Sequence, residues 1–284
     1  MCGINGIVKL SGAPVSVEEI GRMNRALAHR GPDGEGDFID GAVGLGHRRL
    51  AILDLSKRGA QPMLYAHGKS RVVVTHNGEV YNFKEIREEL KQKGFRFTTE
   101  TDTEVVCAAY LAWGVECLKR LGGMFAFVIY DPQKKLLFGA RERLGKKPLK
   151  YFFDGEKFIF ASELKALFTF AIPRKLDLEA IDEFLTLQYV PSPKTGFKDI
   201  SKLPAGHYFL LDMNSKELVV KKYFDIDFVN KRTLSREEWK QELETAFEKA
   251  VKRRLISDVP LGAFLSGGID SSAVVVFMSR ISPK

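Results

Sequence analysis

Short strand-like runs alternate with amphipathic helical stretches over residues 1–150, and that succession limits the fold more than any other feature. Residues 4–10, 42–47, 71–76, 124–131 and 136–140 are rich in Val, Ile and Phe, which suit a pleated, half-buried surface. Residues 17–27, 83–93 and 103–113 place apolar side chains three and four apart, the spacing of one helix face. Strands in hairpin-like succession with helices between them point to sheets covered by helices rather than a simple parallel wound sheet. Periodicity alone does not order those layers. At 284 residues the chain exceeds one typical domain, so two are expected.

The later part reads differently. Pro191, Pro193, Pro204 and Gly206 punctuate residues 187–206, which read as a connecting segment. Ser235 with Glu238 three residues on makes a capping box and predicts a long helix to about Arg254. Pro260 and an apolar strand candidate over 261–265 follow, then Ser266-Gly267-Gly268-Ile269-Asp270-Ser271-Ser272 and the start of an apolar helix. The sequence stops at Lys284, about three turns into that helix. A strand, a loop and a helix cannot bury their apolar faces alone. A second domain cut short is therefore expected, with apolar surface exposed at 261–265 and 274–278.

The formal charge of +8 comes from scattered Lys and Arg. Clusters as short as Lys252-Arg253-Arg254 fit a solvated helix face better than a nucleic-acid stripe, so no nucleic-acid partner is expected. The three cysteines, Cys2, Cys107 and Cys117, form neither a disulfide framework nor a metal-ligand spacing. Cys107, in an apolar helical run, reads as a small buried hydrophobe. The N-terminus shows no basic region followed by an apolar stretch, and no run approaches the roughly 18 apolar residues of a membrane span. A soluble cytoplasmic protein with no membrane partner is expected.

Cys2 points to chemistry. Removal of Met1, which a small second residue permits, would put a free α-amine and a thiol on one residue. Unperturbed, these titrate near about 7.7–8.0 and about 8.5. The amine can then act as general base for its own side chain, with no separate histidine. Taken alone, a second-position cysteine is equally an accident of the start site.

Five other groupings bear on function. In Ser266–Ser272 a Gly-rich turn at a helix N-terminus gathers backbone N–H groups and the helix dipole, which suits a phosphate or pyrophosphate. The alternative is a Ser/Gly turn with Asp270 or Ser271 as helix cap. Asn77-Gly78-Glu79 follows a strand run, but a helix comes next, which weakens a hairpin turn and favours an oxyanion hole made of a side-chain amide and a glycine N–H. Arg48 and Arg49 in a strand point to opposite faces, so one can enter a pocket and grip a carboxylate while the other faces solvent. Thr101 and Glu104 form a capping box, where Asp102 either serves the helix dipole or pairs with a substrate ammonium. The loop His29–Gly34 has the polar, turn-rich character of a site lid.

Together these segments, with 47–55, 123–127, 141–148 and 161–167, resemble the glutamine-dependent asparagine synthetases through nearly the whole chain. The first half alone also suits other glutamine amidotransferases with an N-terminal cysteine; the Ser-Gly-Gly-x-Asp-Ser-Ser loop selects the ATP-using synthetases. The resemblance implies an α+β fold: a four-layer αββα N-terminal-nucleophile glutaminase domain over 1–200. A linker and the start of an α/β ATP-pyrophosphatase-type synthetase domain would occupy 201–284. It implies that Cys2 attacks the glutamine side-chain amide, with Asn77 and Gly78 as oxyanion hole. Arg49 would hold the α-carboxylate, the main chain of Leu50, Ala51, Ile52 and Leu53 would line the site, and Glu79 and Asp102 would meet the α-amine. Leu265, Ser266, Gly267, Gly268, Asp270, Ser271 and Ser272 would form an ATP site, with Mg²⁺ accompanying the pyrophosphate. The glutaminase half would need no cofactor and no metal. Ammonia would pass to a β-aspartyl-AMP intermediate made from aspartate and ATP; a homodimer stays open.

Two positions depart from the family pattern: Glu142 stands where Asp is usual, and Lys150 where Tyr is usual. Neither is expected to touch the chemistry. Later synthetase residues have no counterpart here, so the expected activity is glutamine hydrolysis. The alternatives are a relative that amidates another carboxylate or serves a sugar acceptor, and a non-catalytic glutamine-binding module.

Overall fold

The computed structural model of the chain describes residues 1–282. It divides into two compact units, one from Met1 to Asp225 and one from Ile226 onward. In the first unit one sheet contains β1 (Gly3–Lys9), β2 (Gly34–Asp40), β3 (Val43–Arg49), β8 (Lys150–Phe153), β9 (Lys157–Ala161) and β10 (Ile200–Lys202). The other contains β4 (Met63–His67), β5 (Ser70–Val80), β6 (Gly123–Asp131), β7 (Leu136–Arg141), β11 (His207–Asp212) and β12 (Glu217–Lys222). Their orders are β10-β8-β9-β1-β3-β2 and β12-β11-β7-β6-β5-β4, and every strand pair among the described residues is antiparallel.

Helices cover the outer faces. On the first sheet lie α1 (Val17–Ala26) and, later in the chain, a short α5 (Leu164–Leu167), after which comes α6 (Leu178–Leu187); on the second lies α3 (Asp102–Trp113), with α2 (Phe83–Gln92) packed against it and α4 (Cys117–Arg120) following it. The order is thus helix, sheet, sheet, helix. Strand β1 shows why the sequence demands it. Ile4 and Val8 enter the layer between the sheets, while Ile7 packs outward on Ile20, Met23 and Leu27. With side chains alternating in direction, a strand apolar on both faces needs a cover on each.

The sequence expectation placed a domain boundary at 200, with a linker after it. The first unit instead runs to Asp225, because β11 pairs with β7 and delivers Phe209 and Leu211 to the core between the sheets. The Phe209 ring lies 4.9 Å from that of Phe158, tilted 58° to it, and a Cβ at Gly139 would stand only 2.2 Å from the Phe209 ring. Glycine at 139 makes the room that Phe209 fills. The strand signal in 207–222 was masked by the proline-rich stretch before it.

The second unit contains α7 (Arg236–Arg253), whose Ser235–Glu238 capping box forms as expected, and α8 (Ile269–Ile281). Phe247 and Phe277 join them, their rings 5.1 Å apart. Residues 261–265 form no strand, a correction to the expectation. A strand needs a neighbour for its backbone groups, and no strand pairs with this run among the described residues. Phe264 is fully exposed. No helix among the described residues is long and apolar enough to cross a membrane.

A chain ending at residue 225 is expected to unfold cooperatively in urea, and one ending at 200 is not. Within the longer chain Phe209→Ala should lower the unfolding free energy by about 3–5 kcal/mol, as for other buried Phe truncations. Equal stability of the two fragments would show that β11 is dispensable.

Candidate active site

Cys2 stands immediately before β1, at the end of a strand bonded on both edges. Its Sγ lies against Leu50, accepting from the Leu50 N–H at 3.4 Å and donating to the Leu50 carbonyl at 3.6 Å. Arg30 Nε donates to the Cys2 carbonyl at 2.9 Å, and Arg30 is itself held by Glu163 at 2.8 Å. Asp33 accepts from the Ala51 N–H at 2.9 Å. The 29–34 loop therefore braces the nucleophile and the 50s loop; it is a buttress rather than a free lid.

A cavity of ≈210 Å³ opens beside the thiol. Of the residues named from sequence, Cys2, Arg49, Leu50, Ile52, Leu53, Asn77, Gly78, Glu79 and Asp102 line it. Ala51 does not line it; its backbone is turned to Asp33. The loop 265–272 belongs to the other unit. Gln61, His76, Thr101, Thr103, Met124 and Lys147 also line the cavity and were not foreseen. Lys147 lay within the 141–148 segment that carried the resemblance, but nothing in its spacing connects it to Cys2. Neither Glu142 nor Lys150 reaches this cavity. Glu142 accepts from the backbone N–H groups of Leu144, at 2.8 Å, and Lys146, and so shapes the turn that leads to Lys147.

Asn77 and Gly78 do not follow β5 but form part of it, paired with Ala126 and Phe125. Asn77 and Glu79, two residues apart, share the face turned to the cavity. Asn77 is buried, and neither its Nδ2 nor its Oδ1 has a hydrogen-bond partner among the described residues. A buried amide left open at both ends costs free energy unless something else engages it. Gly78 sits at φ +144°, and a Cβ there would meet the Met124 carbonyl oxygen at 2.0 Å. Only glycine fits.

Arg49 faces the cavity while its guanidinium donates to the carbonyls of Leu53 (3.3 Å), Asp54 and Ser56 (2.9 Å). It thereby sets the shape of the 50s loop that forms one wall. Thr101 caps α3 through the Glu104 N–H at 3.3 Å, yet the Glu104 carboxylate turns away to the N–H groups of Thr98 and Thr99. The capping box expected here is only half formed, because Glu104 ties down the preceding segment instead.

The charges are tightly confined. Burial pushes Asp102 up to about 6, against hydrogen bonds from the N–H groups of Val80, Asp102 and Thr103 and the charge of Arg87. Burial, then the Asp102 charge, raises Glu79 as well. Lys147 is lowered by burial, and held up by Glu79 and Cys2. Burial raises the Cys2 thiol, opposed by the Leu50 contact, the terminal amine and Lys147. The α-amine of Met1, still present ahead of Cys2 in this structure, is lowered by burial. Burial holds His47 and His76 down to about 3, so both are neutral. His47 Nε2 stands 3.1 Å from the His76 carbonyl and, facing an acceptor, carries the proton.

In the second unit Gly268 caps α8 without a side-chain bond, so neither Asp270 nor Ser271 is the cap. Ser271 Oγ donates to the Gly268 carbonyl at 3.1 Å and lies 3.0 Å from Ser266 Oγ, and Gly267 adopts φ +81°.

Residues 1–224 match the glutamine amidotransferase domain family and residues 242–284 the asparagine synthase family. The chain is 40% identical to a putative glutamine-hydrolyzing asparagine synthetase 2 of Methanocaldococcus jannaschii, over 99% of its own length and 58% of the relative's. It is 37% identical to glutamine-hydrolyzing asparagine synthetase 1 of Bacillus subtilis, over 100% of this chain and 44% of that one. The chain thus spans about half the length of these curated relatives. Among solved structures, a glutamine phosphoribosylpyrophosphate amidotransferase from B. subtilis has the same fold: TM-score 0.57 at 16% identity, covering 99% of this chain and 64% of that one.

Asp102 makes folding pH-dependent. Its folded value of about 6 exceeds the roughly 3.9 of an unfolded Asp, so its contribution is fully present below about pH 4 and lost as pH rises through about 6. Asp102→Asn removes this titration. Urea unfolding of wild type and variant side by side should show the variant gaining up to about 3 kcal/mol on wild type between pH 4 and pH 7. A difference that does not vary with pH would place the Asp102 carboxyl in a solvated setting.

Proposed function

The chain belongs to the glutamine amidotransferase family, and on that premise we propose that its first unit hydrolyses glutamine to glutamate and ammonia with Cys2 as nucleophile. The observation that carries this reading is the buried, unpartnered amide of Asn77 in the same cavity as the Cys2 thiol. A donor with nothing to bond in the free protein is suited to an oxyanion that exists only during reaction.

With Met1 removed, the Cys2 α-amine takes the thiol proton and the sulfur attacks the side-chain amide carbon of glutamine. Negative charge moves to the amide oxygen, which receives Asn77 Nδ2 and the Gly78 N–H. As the tetrahedral adduct collapses, the C–N bond breaks and the proton held on the amine passes to the departing nitrogen, releasing ammonia and a thioester. The same amine then takes a proton from water, whose oxygen adds to the carbonyl; the C–S bond breaks, the thiol regains its proton and glutamate leaves. Glu79 and Asp102 supply the negative charge for the substrate α-ammonium. Arg49 and the main chain of Leu50, Ile52 and Leu53 supply the α-carboxylate wall.

In the complete protein the ammonia would amidate aspartate at the expense of ATP, in line with the names of the relatives. The 265–272 loop fits a pyrophosphate group: Gly267 has open space where a Cβ would stand, α8 lacks a side-chain cap, and two serine hydroxyls converge. These backbone groups and hydroxyls would hold the phosphates, and Mg²⁺, when bound, would neutralise their charge. No cluster of three or more His, Cys, Asp or Glu side chains forms a cation cage among the described residues, so the ion would arrive with the nucleotide.

Purified protein should release glutamate from glutamine, lack the Met1 mass, and take one 6-diazo-5-oxo-norleucine adduct on Cys2. Cys2→Ala should abolish release, and Asn77→Ala should lower kcat about 10²–10³-fold. Protein without Met1 that neither turns over nor takes the adduct would leave a glutamine-binding module as the better reading.

Since the ionised Asp102 is the form that meets an ammonium, KM for glutamine should rise as pH falls below about 6. Steady-state kinetics from pH 5 to 8 check this. A KM that stays flat across that range would remove Asp102 from substrate binding.

A further inference from the structure

A second cavity of the first unit, ≈460 Å³, is walled on one side by Arg141, Lys150 and Lys202, with Leu149 and Tyr189 among its other walls. No carboxylate lines it. Among the described residues none of the three cations has an ion-pair partner; each is met by neutral carbonyls alone. Arg141 donates to Lys147 (2.7 Å), Leu203 (2.8 Å) and Gly145, Lys150 Nζ to Ser162 (3.0 Å), and Lys202 Nζ to Val190. An ammonium carries three donors and a guanidinium five, so each head keeps donors beyond those bonds.

The Glu163 charge raises Lys150, but Glu163 is already engaged by Arg30 at 2.8 Å, His29 at 3.1 Å and Lys165 at 3.5 Å. The Glu142 charge raises Arg141, but its carboxylate is taken up by the Leu144 and Lys146 N–H groups. Burial lowers all three cations, and the Arg141 charge lowers both lysines further; Lys150 falls to about 8 and is still mostly protonated at neutral pH. Like charges gathered in a partly desolvated space are costly unless an opposite charge joins them. Spare donors on three cations around one cavity provide what a multiply charged, oxygen-rich anion requires, and lysine ammoniums on flexible stems can close on it.

We propose that this cavity binds a phosphate-class anion, a phosphate or pyrophosphate group either free or borne on a small molecule, through Arg141, Lys150 and Lys202. The site is separate from the Cys2 cavity, and the inference does not depend on glutamine hydrolysis.

The test is isothermal titration of the full chain with inorganic phosphate and with pyrophosphate, ionic strength held constant with sodium chloride. Saturable binding of one equivalent is expected, weakened about tenfold or more by Lys150→Met or Lys202→Met and lost in the double variant. Charge-retaining Lys150→Arg and Lys202→Arg should keep it. Circular dichroism establishes that each variant is folded, and the charge-removing Lys150→Gln and Lys202→Gln, expected to weaken binding to the same degree, carry the test if a methionine variant is not. No saturable binding by wild type would overturn the proposal, as would binding undiminished in the double methionine variant. That second result would place the anion elsewhere, the 266–272 loop included. Preference for phosphate over pyrophosphate, or the reverse, would tell whether one group or two occupies the space.

Discussion

The first unit depends on β1 being an interior strand. It is bonded to β3 on one edge and β9 on the other, with the inter-sheet core on one face and α1 on the other. A strand so enclosed leaves the residue just before it little freedom, and that residue is Cys2. The Arg30 contact to its carbonyl and the Leu50 contacts to its sulfur complete the restraint. The second sheet brings the partner groups. Thr75 Oγ1 donates to the Gly46 carbonyl at 3.0 Å and His47 to that of His76, tying β3 to β5 across the layer. Asn77 and Gly78 are the next residues along β5. The cavity exists because two sheets pack face to face and their strand ends are pinned together.

This arrangement confines more unsatisfied chemistry than a stable core tolerates elsewhere. Glu79 and Asp102 share one buried space with two cations, Lys147 and Arg49, and among the described residues the Asn77 amide has no partner. Such concentrations are characteristic of functional sites, where groups are held ready for a ligand at some cost to the fold. The cost is borne by a rigid frame: an extensive aromatic core around Phe158, Phe160 and Phe209, and a 50s loop held by the Arg49 guanidinium. Arg49 shows how one residue serves both purposes. Its hydrogen bonds shape the wall, and its charge faces the cavity.

Much of the local structure was legible in sequence because it rests on neighbours along the chain. The apolar periodicity of 17–27 and 83–93 and the Ser235–Glu238 box became helices with nearly those bounds. Where the reading failed, long-range contacts had decided. The Thr101–Glu104 box formed only by half because Glu104 found Thr98 and Thr99. The 261–265 run, apolar enough for a strand, had no neighbouring strand to make it one. The boundary moved from 200 to 225 because Phe209 belongs to a core assembled from strands more than 50 residues away, at Gly139 and Phe158.

By itself the sequence determined the chemical inventory: a cysteine beside the amino terminus, an Asn-Gly pair, a strand arginine and acidic groups at a helix start. Those depend on residue type and on short spacing, which the chain states directly. Only the tertiary structure decided that these groups line one cavity, that Lys147 and His76 join them, and that Ala51 does not. It also decided that Arg141, Lys150 and Lys202 line a second space whose described lining holds no carboxylate. The physical reason is common to all of these. Burial, and with it the strength of every charge and the cost of every open donor, is set by what the rest of the chain packs around a residue.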